Sequence, residues 1–432
     1  MNLPVQQLQQ ALEQLEPAAK PLQICIAFSG GLDSRVLLEA AWQLQQQNPN
    51  DLQLRALHIN HQLSDQADAW ADFCRRCCEQ KQLPLTIHPV QPNDYPGSSL
   101  EARARQARYQ VFAEQLQEGE YLLQAHHRKD QAETLLLRLL RAAGTLGLSS
   151  IPRQRPLGRG QLLRPFLHLS REDLELAAHE QQLQWVEDDS NQSNRFDRNF
   201  IRLQVLPLLQ ERFPACEENL AEVARLATQS NQLNRDLAEL DRQHLQPSTS
   251  AALPVQALLQ LPKYRQINLL RHWLLDRGLT PPGKHLWAEL QKLLQARQDA
   301  QPQLSWGDSQ ARIQARRHQD QLFIQPEKAF APLPANWQLD WDNRSPLETP
   351  CGCFDFQLRQ QASDNLPKTL RVTARQGGEK IRLPRRGSRD VKRLLQESGL
   401  PPWQRQQLPF IWQGEELIAV GSLLIAEGWE AL

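Results

Sequence analysis

The 432-residue chain has no charge imbalance, with 49 Lys and Arg against 49 Asp and Glu. Overall attraction therefore cannot bring it to a nucleic acid, and any such site must come from local segregation of charge. Long hydrophobic runs are missing too. No apolar stretch approaches membrane-spanning length, which excludes a helical membrane protein, and the opening Met1-Asn2-Leu3-Pro4-Val5-Gln6-Gln7 lacks a basic region followed by an apolar core. These absences predict a cytoplasmic protein without a membrane partner. A disulfide framework is absent as well, since seven cysteines scattered over a long chain fit a reducing compartment. What is present is a chain with 40% hydrophobic residues, long enough for two or three cores.

One stretch organises the rest. From Ile24 an apolar run of strand length reaches the corner Ser29-Gly30-Gly31-Leu32-Asp33-Ser34 and passes directly into a helical apolar pattern, which Ser34 is suited to cap. Gly30 and Gly31 can turn their N–H groups toward one point, the helix start adds its positive dipole end, and Ser29 and Ser34 add hydroxyls. Asp33 would repel an anion by itself but becomes useful if Mg²⁺ bridges carboxylate and phosphate oxygens. The combination predicts a nucleotide site with its metal. No Gly-x-x-x-x-Gly-Lys-Ser/Thr loop is found.

Further along, strands are predicted at Leu52 to Asn60, Leu85 to Val90 and Tyr121 to Ala125. Ser64 is placed to cap a helix running to about Lys81, and Ser98 or Ser99 to open another through Leu116. Strand and helix alternate at parallel-sheet spacing, so the fold class is α/β with the ligand crevice at the strand C-terminal ends. In the helix over residues 67–82, Trp70, Phe73, Cys74, Cys77 and Cys78 share one face. Cys74 and Cys77 could serve redox or metal chemistry, but no second cysteine pair stands at metal-site spacing, and core packing is preferred.

Three more segments carry chemistry. Glu101, Arg105 and Arg108 are helical neighbours beside Tyr109, either a surface charge ladder or part of a site. In His126-His127-Arg128-Lys129-Asp130-Gln131-Ala132-Glu133-Thr134, Asp130 and Glu133 lie three apart on one helix face. They are close enough to share a cation or orient an amine, although a capping acid plus a solvated glutamate would look the same. A polar loop, Glu187-Asp188-Asp189-Ser190-Asn191, then leads into a basic helix with Arg195, Arg198 and Arg202.

The Ser-Gly-Gly-Leu-Asp-Ser loop resembles that of the PP-loop ATP pyrophosphatases. Together with Glu-Ala-Arg-Ala-Arg-x-x-Arg-Tyr, His-His-x-x-Asp-Gln-Ala-Glu-Thr and Glu-Asp-x-Ser-Asn-x-x-x-x-x-Asp-Arg-Asn, in this order, the chain resembles the tRNA(Ile)-lysidine synthetases over nearly its whole length. The resemblance implies a PP-loop domain of the adenine nucleotide alpha hydrolase type, then a small helical domain and a small β-rich domain. It implies ATP-dependent joining of lysine to C2 of the wobble cytidine of an isoleucine tRNA with a CAU anticodon. ATP and Mg²⁺ would be the cofactors and free L-lysine the co-substrate, with a homodimer as an assembly it allows. By the same resemblance Ser29, Gly30, Gly31, Leu32, Asp33 and Ser34 would hold the ATP phosphates and Asp33 would place Mg²⁺. Asp130 and Glu133 would orient the amine or the metal, and Arg105 or Arg108 would offset charge on the activated base or phosphate. Two positions depart from the family pattern. Lys129 stands where a second acid is usual, and Arg35 follows the loop where a small or uncharged residue is commoner, directed to solvent or to the phosphates.

The expected organisation is a catalytic domain over residues 1–215, a helical connector over 216–245, a small helical tRNA-gripping domain over 246–330, a linker over 331–365 and a basic module over 366–432. Tyr264, Trp273 and Trp287, interleaved with basic residues, could stack on RNA bases or belong to a core. Between Lys368 and Arg393 ten Lys or Arg face two acids, a local excess of eight in a neutral chain. Arg371, Arg375, Lys380, Arg382, Arg385, Arg386, Arg389, Lys392 and Arg393 are the candidates for phosphate-backbone contact, with Arg195 and Arg198 upstream. Pro401 to Pro409 matches a Pro-Pro-Trp-x-Arg-x-x-x-Pro feature of the family's C-terminal module. A PP-loop tRNA thiolase and a non-catalytic, nucleotide-switched tRNA-binding protein are the alternatives. The first would rest on Cys74 and Cys77.

Overall fold

The computed structural model describes residues 2–15, 21–62, 64–97, 99–187, 197–247, 251–297, 300–308, 311–361 and 369–432. Two compact units divide the chain at Leu233 and Asn234.

In the first unit, helix α1 (Leu3–Glu13) precedes β1 (Leu22–Ala27), α2 (Leu32–Gln47), β2 (Leu52–Asn60), α3 (Ala67–Gln80), β3 (Leu85–Pro89), α4 (Leu100–Gln115), β4 (Tyr121–Leu123) and α5 (Arg128–Leu140). After the short α6 (Thr145–Leu148) come β5 (Gln154–Leu157), β6 (Gly160–Leu163) and α7 (Arg171–Glu180). The six strands form one sheet in the order β3-β2-β1-β4-β6-β5, parallel except for the β5–β6 hairpin at its edge. β1 is interior, so its residues read as a continuous apolar run rather than an alternation. The order reverses beside β1, with β2 on one side and β4 on the other, and such a reversal opens a crevice at the carboxyl ends of the strands.

Local chemistry sets where the helices begin. Ser99 caps α4, its Oγ accepting from Ala102 N at 3.1 Å. Two other caps differ from expectation. Ser34 is the third residue of α2, not its cap; that position belongs to Gly31 in extended conformation. Ser64 accepts from Gln66 N at 3.2 Å and turns the chain, while α3 starts after Gln66. In both cases the hydroxyl braces the approach to the helix rather than its first turn.

Cys74, Cys77 and Cys78 lie in the core beneath the sheet with Leu37, Leu38, Ile26 and Phe28. Burial pushes the Cys78 thiol up to about 12 and raises Cys74 and Cys77 as well, the condition of inert packing thiols. Arg35 faces neither solvent nor the loop. It is buried against Glu39 at 3.1 Å, one turn along α2, and Lys81 closes on the same carboxylate at 2.8 Å.

In the second unit, helices Val255–Gln260, Lys263–Asp276 and Leu286–Gln295 share a core with a four-stranded antiparallel sheet. Trp273 and Trp287 are buried in it, so these two rings are core, whereas Tyr264 is 72% exposed. A second core lies around a five-stranded antiparallel sheet of Gln338–Trp341, Leu370–Thr373, Phe410–Gln413, Glu416–Val420 and Leu424–Ile425. Strand Gln338–Trp341 pairs with Leu370–Thr373. The proline-punctuated stretch 331–365, expected as a linker, thus contributes an outer strand to this sheet, because its prolines flank the paired residues instead of interrupting them. Trp403 of the Pro-Pro-Trp feature is buried edge-on against Phe323 and Phe330, each at 5.3 Å between ring centroids.

Candidate active site

The strand ends enclose a cleft of about 1150 Å³. Ser29, Gly31, Leu32, Asp33 and Ser34 line it from the corner after β1; His58, Asn60 and His61 line it from the end of β2. α4 contributes Arg108, and the end of β4 with the start of α5 contributes Gln124, His126, His127, Lys129 and Asp130. Arg171, Glu175, Glu187 and Arg202 come from later segments.

The corner holds its shape through Ser34. Its Oγ donates to Gly31 O at 3.0 Å and accepts from Ser29 N at 3.2 Å, and it stands 3.0 Å from Ser29 Oγ. Gly30 has φ +86°, and a Cβ there would lie 3.1 Å from both Cys74 Sγ and Val186 Cγ2. Only glycine fits that turn without strain. Gly30 O also accepts from Val186 N at 3.0 Å, which ties the loop to a distant part of the chain. The first N–H groups of α2 have no partner within the helix, and the residues bearing them line the cleft. A preformed, positively polarised anion cradle results.

Asp33 sits in the first turn of α2 with a third of its side chain exposed to the cleft. Arg171 donates to its Oδ1, and His127 Nε2 stands 3.9 Å from Oδ2. Enclosure by the cleft walls raises the Asp33 pKa above its ordinary value, with His127 and Arg171 opposing the rise and Asp130 adding to it. Asp130 behaves oppositely. Burial alone would raise it, but His127, His126, Arg198 and the His127 N–H at 3.0 Å together hold its carboxyl far below the usual carboxylate range. Two neighbouring acids are thereby set apart, one strongly acidic and one poised to welcome a cation.

Glu133 is drawn elsewhere. It is fully buried and faces the helical run of α8 (Asp197–Phe200), a π-helical turn at Ile201–Val205 and α9 (Leu206–Arg212). Arg198 Nε donates to Glu133 Oε2 at 2.6 Å and its Nη2 to Asp130 Oδ1 at 2.6 Å; Arg202 Nε donates to Glu133 Oε1 at 2.6 Å. Glu133 is therefore not a cleft-lining acid, and Arg198, expected to face RNA, has its guanidinium committed to Asp130 and Glu133. The i, i+3 spacing on α5 and the i, i+4 spacing on the facing helix make the two pairs meet.

Of the two candidate arginines on α4, Arg108 lines the cleft, while Arg105 is exposed and lies over the Tyr109 ring at 4.9 Å. Lys129 lines the cleft beside Asp130. Arg195 and the loop Asp188 to Gln192 lie outside the described residues, as does Lys368, and nothing is described of the Glu101 side chain. In the second unit, Lys380, Arg382, Arg385, Arg386 and Arg389 stand exposed on the hairpin of Lys380–Leu383 and Gly387–Asp390, with Lys392 and Arg393 exposed on the helix that follows. Arg382 pairs with Glu427 at 2.8 Å and Arg393 with Glu397 at 2.9 Å. Arg371 lies over Trp412 at 5.5 Å, and half-buried Arg375 is 4.0 Å from Glu379.

Arg171 and the buried Arg164 carry no motif signal of their own. The start of α7 was nonetheless readable, because Ser170 Oγ accepts from Asp173 N at 3.0 Å and Asp173 accepts from Ser170 N at 2.8 Å, a capping box that sets Arg171 at the strand end.

A parallel sheet with a glycine corner and an acid on the first turn after its central strand is the arrangement of a PP-loop protein, and residues 4–209 match the PP-loop domain family. Residues 253–323 match the TilS substrate binding domain and residues 370–432 the TilS substrate C-terminal domain. The chain is 41% identical over 418 residues to the tRNA(Ile)-lysidine synthase of Xanthomonas axonopodis pv. citri, covering 95% of this chain and 92% of that protein. It is 42% identical to that of Serratia proteamaculans, covering 94% and 92%, and 39% identical to that of Coxiella burnetii, covering 94% and 90%. The chain belongs to the tRNA(Ile)-lysidine synthase family.

Proposed function

We propose that this protein forms lysidine at the wobble cytidine of an isoleucine tRNA with a CAU anticodon, consuming ATP and free L-lysine and releasing AMP and pyrophosphate. Family membership over 95% of the chain carries the reading, and the assembly of Ser29, Gly31, Leu32, Asp33, Ser34, Arg108 and Asp130 around one cleft supports it.

The chemistry follows from those groups. The C2 carbonyl oxygen is a poor leaving group until it attacks the α-phosphorus of ATP, forming an adenylate as pyrophosphate departs. The N–H groups at the start of α2 and the Ser29 hydroxyl hold phosphate oxygens, Ser34 fixes the corner that presents them, and Arg108 offsets the charge that grows on them. The ε-amine of lysine then attacks C2 and AMP leaves. Asp130, kept ionised by its basic neighbours, holds the lysine ammonium in place, and that ammonium gives up its proton to solvent water before the free amine attacks. Glu133 acts at one remove, by fixing Arg198 and Arg202 against Asp130.

Among the described residues no group of three or more His, Cys, Asp or Glu could hold a metal. Mg²⁺ nonetheless fits, because it keeps several waters and uses one or two carboxylates with substrate phosphates. Asp33 opens on the cleft with its charged form disfavoured by enclosure, which a cation would relieve. When bound there, the ion would supply charge neutralisation on the phosphates.

The exposed basic hairpin around Lys380 to Arg389, with Lys392, Arg393 and Arg371, would grip the tRNA backbone. The thiolase reading loses its support, since Cys74 and Cys77 are buried packing thiols that do not line the cleft.

The deciding experiment incubates the protein with isoleucine tRNA bearing a cytidine wobble base, ATP, Mg²⁺ and isotopically labelled lysine, followed by mass spectrometry of the nucleosides. ATP-dependent label in that cytidine supports the reading; its absence while tRNA and ATP both bind overturns it.

A further inference from the structure

Arg164 is buried at 2% exposure directly after β6, yet forms no ion pair among the described residues. Its guanidinium is used entirely as a donor. Nη1 donates to Pro152 O at 2.7 Å, Nη2 to Tyr109 Oη at 3.1 Å, and Nε to His126 Nδ1 at 3.1 Å. An arginine has no lone pair to offer and does not give up its proton in proteins. The His126 nitrogen that receives Nε–H must therefore be the unprotonated one, and a neutral imidazole with a bare Nδ1 carries its proton on Nε2.

The same guanidinium reaches a second cleft residue through one intermediary. Tyr109 Oη, having accepted from Arg164, donates to Gln124 Oε1 at 3.1 Å. With its oxygen committed, Gln124 has its amide NH₂ left. His126 and Gln124 both line the cleft, and each has its acceptor atom occupied on the side of Arg164.

We propose that Arg164 is a positioning residue that fixes His126 as a neutral imidazole protonated at Nε2, and Gln124 with its amide NH₂ outward, so that the cleft wall above β4 is a built-in donor pair for an acceptor oxygen of the substrates. This rests on the adenylation reading, in which such oxygens are those of a phosphate or of the base carbonyl. The surroundings agree with the tautomer. The charged groups around His126 are Asp130, Arg164, Arg198 and Arg105. Only Asp130 favours the imidazolium, and it is already bound to Arg198. Burial holds the His126 pKa down at about 3. His126 is thus no proton shuttle at neutral pH but a fixed dipole, which needs no reorganisation when charge develops on its partner.

The first test does not need turnover. In ¹⁵N-histidine-labelled full-length protein, with His126 signals assigned by their loss in His126→Gln, long-range ¹H–¹⁵N correlation should show Nε2 as protonated and Nδ1 as bare. Protonation at Nδ1, or two averaged nitrogens, overturns the proposal whether or not the protein makes lysidine. The second test compares variants at steady state. Glutamine places an N–H where Nε2 stood and alanine does not, so His126→Gln should keep roughly tenfold or more activity over His126→Ala. Equal activities overturn the proposal. Nucleotide affinity without tRNA locates the acceptor: weakening in His126→Ala puts it on a phosphate, and unchanged affinity with lost tRNA-dependent turnover puts it on the base. Arg164→Lys, which retains a donor, should preserve the tautomer signature better than Arg164→Met; identical wild-type signatures in both variants would remove Arg164 from the role.

Discussion

Glu133 is fully buried, and Arg202 holds both its oxygens, Nε to Oε1 at 2.6 Å and Nη2 to Oε2 at 3.0 Å. Removing the acid leaves the guanidinium groups of Arg198 and Arg202, only 22% and 29% exposed, against each other. Glu133→Ala is expected to cost about 3 kcal/mol in urea unfolding, as breaking a buried pair does, and to lower activity through loss of the Asp130 geometry. Glu133→Gln, which keeps the shape, should cost less.

The two glycines of the corner should separate cleanly. Gly30→Ala forces a side chain into φ +86° and against Cys74 Sγ and Val186 Cγ2, whereas a Cβ on Gly31 meets nothing nearer than Ser29 Oγ at 3.6 Å. The first variant is expected to lose ATP binding and about 1 to 3 kcal/mol of stability. The second should fold normally. Isothermal calorimetry with ATP and a thermal melt of each would check both.

Asp33→Asn removes the charge at the proposed metal position while leaving the basic hairpin of the second unit untouched. Pyrophosphate release should fall by about a hundredfold or more with tRNA retention on filters unchanged. Normal turnover would remove Asp33 from the mechanism.

Cys74→Ala with Cys77→Ala should preserve lysine transfer. Each change leaves a small void in the core and is expected to cost about 1 to 2 kcal/mol, visible as a lower midpoint of unfolding. Loss of activity in a folded double variant would restore a chemical role to these thiols.

Stability should fall on mild acidification. Burial, with Arg108 and His58 adding to it, lowers His61 from 6.5 to about 4, and burial lowers His126 further, to about 3. As pH drops through 6.5 the unfolded imidazoles take up protons that the folded ones refuse, so the unfolded state is favoured progressively down to about pH 4. Asp130 adds its own loss only at more acid pH, below the ordinary carboxylate range, because its folded pKa is depressed. Urea midpoints measured between pH 7 and 5 should decline, and His61→Asn should flatten that decline.

The corner at Ser29 to Ser34 was legible because everything it needs is contiguous: strand, glycines, acid and helix in one run. The parallel sheet followed from the alternation of apolar segments. What could not be read was opposition across space. Spacing put Asp130 and Glu133 on one face of α5, but nothing in that segment says that Arg198 and Arg202 close over Glu133. Arg35 likewise looked like a loop residue until Glu39 and Lys81 enclosed it. The tryptophans were ambiguous for another reason, since a ring at helical spacing serves a core or an RNA base equally well. Neighbours contributed by other helices and strands settle Trp273 and Trp287 as core.

The corner after β1 has its carbonyl at Gly30 taken by Val186 N, and one oxygen of its acid, Oδ1 of Asp33, held by Arg171. Both partners lie more than a hundred residues downstream. During synthesis the loop therefore emerges long before the groups that hold it, and β1 itself waits for β4 to arrive on its second side. An N-terminal fragment ending ahead of α7 would carry the complete signature motif yet lack two of its fastenings. The proposed nucleotide site would thus be a late product of folding, and ATP should bind only a nascent chain that has released at least residues 1–187 from the ribosome.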